Sequence, residues 1–106
     1  MHLKTLAFVL AAVMPGLAAA SPSEAFCARD LSATDTRLRH ALIRLNETRD
    51  LPMSQRCNVI RDHLRALTQA ASVHERCSTG RARAENVGQM VGSITDWREV
   101  IARNCP

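Results

Sequence analysis

Residues 53–77, MSQRCNVIRDHLRALTQAASVHERC, decide the fold, because two of the four cysteines stand near the two ends of a stretch that nothing inside interrupts. Met53, Cys57, Ile60, Leu64, Leu67, Ala71 and His74 recur at alternating steps of four and three, while Arg56, Arg61, Asp62, Arg65 and Gln69 fall on other faces. That is the period of an amphipathic helix with one face turned to a core. No Gly or Pro occurs between Pro52 and Gly80, so the spacing predicts one continuous helix over 53–76. A helix rises about 1.5 Å per residue, which sets Cys57 and Cys77 about 30 Å apart. A disulfide needs Cα atoms within about 7 Å. These two cysteines therefore cannot pair with each other.

The flanking stretches repeat the pattern. Ser21-Pro22-Ser23-Glu24 has the order of a helix start, with Ser to cap, Pro in the first turn and Glu three positions on. From there Cys27, Leu31, Thr34, Leu38, Ala41 and Leu45 keep the four-three step, Leu42 widens the stripe, and Asp50-Leu51-Pro52 supplies a turn. A helix is predicted over 22–49. Beyond Cys77-Ser78-Thr79-Gly80, which offers a left-handed glycine and hydroxyl caps, Ala84, Val87, Val91, Ile94, Trp97, Ile101 and Cys105 continue the period. Gly88 and Gly92 weaken that third helix by about 1 kcal/mol each relative to Ala. A single helix over 81–103 is nevertheless expected, with the two glycines admitting a neighbouring backbone.

Three helices of similar length joined by short turns run up, down and up as an antiparallel hairpin bundle. Cys27 and Cys77 then share one end, and Cys57 and Cys105 the other. Of the three pairings four cysteines allow, only Cys27 with Cys77 and Cys57 with Cys105 avoids joining opposite ends. The fold class read from the sequence is thus all-α, a three-helix bundle stapled by two disulfides.

Residues 1–20 carry a short basic start with Lys4, an apolar run from Leu6 to Met14, a Pro15-Gly16 break and Ala18-Ala19-Ala20. This is the layout of a secretory signal peptide cleaved after Ala20, leaving 21–106 as a single domain. The remaining chain has no run approaching the roughly 20 apolar residues of a membrane span. An even number of cysteines in a small exported domain points to disulfides, so a periplasmic or secreted location is expected.

Residues 21–106 hold thirteen Arg, no Lys and ten Asp or Glu, a net charge of +3. Guanidinium groups suit carboxylate or phosphate ligands, but surface arginines are ordinarily just solvated. Phe26 and Trp97 are the only aromatic residues past position 20, too few for the stacking platforms of single-stranded nucleic acid binding. No nucleic-acid partner is expected.

The residues do not assemble a catalytic constellation. His63 and His74 stand about 16 Å apart along one helix, too far to share a metal. His74 and Cys77 have zinc-ligand spacing, but Cys77 is claimed by a disulfide. His40 lies between Arg37 and Arg44 and reads as a solvated surface residue. The carboxylates are scattered, several serving as intrahelical partners, such as Asp35 with Arg39 and Glu99 with Arg103. No catalytic residue, metal or cofactor is assigned, and enzyme activity is not expected. Gly88, Gly92 and Trp97 form the candidate interaction surface, with core packing as the competing use of each. These readings predict a protein-interaction or accessory module with a protein partner; the alternatives are an exported inhibitor, toxin or effector, and a small apolar-ligand carrier.

Overall fold

The computed structural model describes residues 22–106; the expected signal peptide over 1–20 and the expected helix cap at Ser21 lie outside the described residues. Three helices follow in order: α1 Pro22–Glu47, α2 Met53–Cys77 and α3 Gly80–Asn104. α1 stops two residues before its expected end. There the Thr48 hydroxyl donates to the Leu45 carbonyl at 3.1 Å, and the Thr48 and Arg49 amides reach back three residues to Leu45 and Asn46, the tightening by which a helix consumes its last carbonyls. Pro52 stands before α2 with φ −54° and ψ 145°, an extended geometry. Gly80 opens α3 in the left-handed region at φ +58°, the conformation glycine adopts without a Cβ penalty. Thr79, at the capping position before it, makes no side-chain bond to the helix start, so the expected hydroxyl cap is not used. α3 runs unbroken through Gly88 and Gly92.

Both disulfides are formed as the helix lengths require. Cys27–Cys77 has Cα atoms 5.2 Å apart and Cys57–Cys105 5.8 Å. The α1–α2 hairpin is closed by the 48–52 turn at one end and by Cys27–Cys77 at the other. The α2–α3 hairpin is closed by residues 78–79 and by Cys57–Cys105.

α1 and α3 each pack on α2 and make no close approach to one another. Burial follows from that arrangement. On α2, Cys57, Ile60, His63, Ala66, Leu67, Ala70 and Val73 are buried, a wider set than the stripe read from sequence, because this helix faces two neighbours. Leu64, Ala71 and His74, expected in the stripe, are half-buried at its margins. The outer helices face one neighbour each and bury less: Thr34 and Leu45 on α1, Ile94 on α3. Leu42 and Val91, read as core-facing, are 47% and 51% exposed. Val87, Met90 and Ile101 are half-buried, while Ala84 is exposed.

A core this thin leaves much to the crosslinks. Each bridge closes a loop of about 50 residues, for which chain entropy gives about 4 kcal/mol, and the loops overlap, so the two values do not add. Full reduction is expected to abolish most of the helical circular dichroism at 37 °C (about body temperature). Replacing only Cys27 and Cys77 by Ser should raise amide exchange in the first turns of α1 and the last turns of α2, leaving α3 protected around Ile94 and Ile101. Uniform acceleration across all three helices would show instead that the hairpins do not open separately.

Candidate functional site

The three residues of the expected interaction surface do not share a face. Gly88 and Gly92 are exposed, and a Cβ built on either meets no heavy atom within 4 Å. The close backbone approach expected there is absent; both glycines point to open space. Trp97 is half-buried and turned toward α2, its ring 5.6 Å from that of His63 at an interplanar angle of 80°, an edge-to-face contact. Nine residues at about 100° each carry Trp97 roughly half a turn round from Gly88, so one surface cannot include both.

The cysteines are all consumed in the two bridges. His74 Nδ1 lies 3.0 Å from the Ser78 hydroxyl at the end of α2. His63 is buried at 5% exposure, and its Nδ1 has no hydrogen-bond partner. Burial holds its imidazole below the ordinary value of 6.5, because the charged form would lose its hydration.

A feature that the composition concealed lies on the outer seam between α1 and α2. Two open hollows of about 410 and 300 Å³ run along it, a third of about 610 Å³ adjoins them on the surface of α1 alone, and Arg37 lines all three. Arg37 and Arg44 contribute to the seam from α1 and Arg65 and Arg76 from α2, while Arg29 lines the adjoining hollow on α1. Asp30 and Asp62 are the carboxylates in its walls, and Ala33, Ala41 and Ala66 leave space between the long side chains. Thirteen arginines less the four of the seam leaves nine, and ten carboxylates less these two leaves eight. The seam therefore carries +2 of the +3 excess of residues 21–106, with Arg29 beside it on α1.

The trough is built as a ladder between antiparallel helices. Asp30, Arg37 and Arg44 descend α1 in steps of seven, and Asp62, Gln69 and Arg76 descend α2 in the same step. Run against each other, these rows meet rung by rung. Arg44 pairs with Asp62 at 3.3 Å, Arg37 donates to the Gln69 side-chain carbonyl, and Asp30 and Arg76 line the same hollow. Arg65 also donates to Asp62, one turn away on α2. These groups are substantially exposed, Arg44 at 58% and Asp62 at 36%, so the pairs add little stability, about 0–1 kcal/mol at most. Their effect is to orient the guanidinium groups. The signal in the sequence was the matched seven-residue spacing, of the kind that sets partner choice at the flanks of coiled coils.

The chain matches no protein-family model, no curated protein and no solved structure.

The burial of His63 gives a pH dependence with a definite sign. Its folded-state value lies below 6.5 and its unfolded value near 6.5, so the unfolded chain takes up the proton first. Stability present above pH 6.5 is lost as pH falls from there toward the folded-state value. The melting temperature should drop between about pH 7.5 and about pH 5, and in a His63→Leu variant that share of the drop should vanish. An equal drop in the variant would place the proton uptake elsewhere.

Proposed function

We propose that this chain is an exported helical interaction module, an accessory protein that binds another protein in an oxidising compartment, either a periplasm or the exterior of the cell. The observation that carries this reading is the segregation of charge. A domain otherwise close to balanced in side-chain charge concentrates most of its excess on one seam, on two helices clamped together at both ends. Solvated arginines scattered by composition alone have no reason to gather there, whereas a recognition surface needs a charged patch held in fixed geometry.

Two further features support the location. Disulfides persist in oxidising compartments and are rare where thiols are kept reduced. Among the described residues, no helix is long and apolar enough to cross a membrane.

Capture from envelope and medium fractions under oxidising conditions tests the proposal. A partner should be recovered in a fixed ratio to the bait and lost when the bait is reduced, because reduction releases α1 from α2. Repeated recovery of nothing above the level of a reduced bait would overturn it.

A further inference from the structure

We infer that the α1–α2 trough is the docking site for an acidic helix of the partner protein, one carrying Asp or Glu along one face at steps of four and three. The inference rests on the interaction-module reading and adds the chemistry of the partner and the place where it binds.

Charge complementarity is the first ground. The seam holds four arginines against two carboxylates, with Arg29 beside it on α1, so a ligand with several negative charges gains there. Dimensions are the second. From Asp30 to Arg44 the seam extends about 21 Å along α1, the length of about four turns of a docked helix. The alanines between the arginines leave room for a second row of side chains to enter, the helix-in-groove mode of recognition.

The third ground is the ligand the trough already holds. The Asp62 carboxylate accepts from Arg44 and from Arg65, and Arg37 donates to the side-chain carbonyl of Gln69. The guanidinium groups are thus arranged toward sp² oxygens carried on a helix. Each guanidinium has five N–H donors, so a docking carboxylate can be received without breaking these bonds.

The same observations disfavour the other polyanions. Nucleic acid brings closely spaced phosphates, which Asp30 and Asp62 in the walls repel, and it wants stacking surfaces; the trough offers none beyond His40. A sheet of anionic lipid headgroups likewise meets Asp30 and Asp62 in the walls beside the arginines. Phe26, 59% exposed with the Arg29 guanidinium 5.7 Å from its ring centre, lies on the same face of α1 one turn before Asp30. It lines none of the hollows and stands exposed beyond one end of the trough, so the fitting helix bears an apolar residue at one end of its acidic face.

The test uses the oxidised protein and defined probes. These are a stapled helix of about 20 residues with Glu on one face, a scrambled isomer of equal charge, single-stranded and duplex DNA, and phosphatidylglycerol vesicles, all at about 0.15 M salt. The one-faced helix should bind at least about tenfold more tightly than its isomer, the DNA or the vesicles, with NMR shift changes along 29–44 and 62–76. Arg37→Glu with Arg65→Glu should weaken it at least about tenfold, and Arg81→Glu with Arg83→Glu on α3, an equal change of charge, by less than about twofold. Circular dichroism verifies each variant, and Arg37→Gln with Arg65→Gln provides a milder pair with the same expected direction. No binding, equal binding of the isomer, tighter binding of DNA or vesicles, or equal loss in the α3 variant would overturn the inference. Partner capture from the cell fractions separates the two readings: a partner still held by Arg37→Glu with Arg65→Glu overturns the trough and leaves the module standing.

Discussion

Because α1 and α3 each meet α2 and not one another, all helix packing in the described chain runs through one 25-residue helix, and the two disulfides secure it near both ends. Each outer helix has a turn at one end and a covalent link at the other. A closed three-helix bundle would give every helix two neighbours; here only α2 has two, and Ile60 and Ala70 alone reach 0% exposure among the buried apolar residues. A small domain buries a lower fraction of its surface than a large one and depends correspondingly on staples. The open layer sharpens that dependence, since loss of a bridge leaves an outer helix held by one face and one turn.

The connectivity was legible in the sequence because it follows from a length. Twenty residues of helix separate Cys57 from Cys77 by several times the reach of a disulfide, and no detail of packing alters that. The lateral arrangement was not legible. An apolar stripe reports which face of a helix turns inward but not how many neighbours it finds there. Leu42 and Val91 satisfy the period and remain about half exposed, whereas His63, outside the expected stripe of α2, is buried against Trp97. The same limit undid the reading of Gly88 and Gly92. Small residues permit a close approach without requiring one, and the side of α3 that carries them has no neighbour within the chain.

The trough was hidden for a different reason. Thirteen arginines look like composition until their register across two helices is known, and that register depends on Cys27–Cys77. Once this bridge is fixed, Asp30, Arg37 and Arg44 fall opposite Arg76, Gln69 and Asp62, so the information was present in two matched seven-residue rows. It needed the pairing of the cysteines before it could be read as a surface.

This places covalent structure and recognition in one chain of cause. A slip of one helical turn between α1 and α2 moves each rung by about 5.4 Å, enough to separate Arg44 from Asp62 and to break the line of guanidinium groups. Surface ion pairs of this exposure are too weak to prevent such a slip themselves; the bridge at 27–77 and the turn at 48–52 prevent it. α3 has a complementary part. It lines none of the three hollows, yet Ile94, Trp97 and the Cys57–Cys105 bridge cover the side of α2 that would otherwise face water. By backing α2 from one side it leaves the seam with α1 open on the other, so the lack of contact between the two outer helices is what keeps the arginine trough accessible.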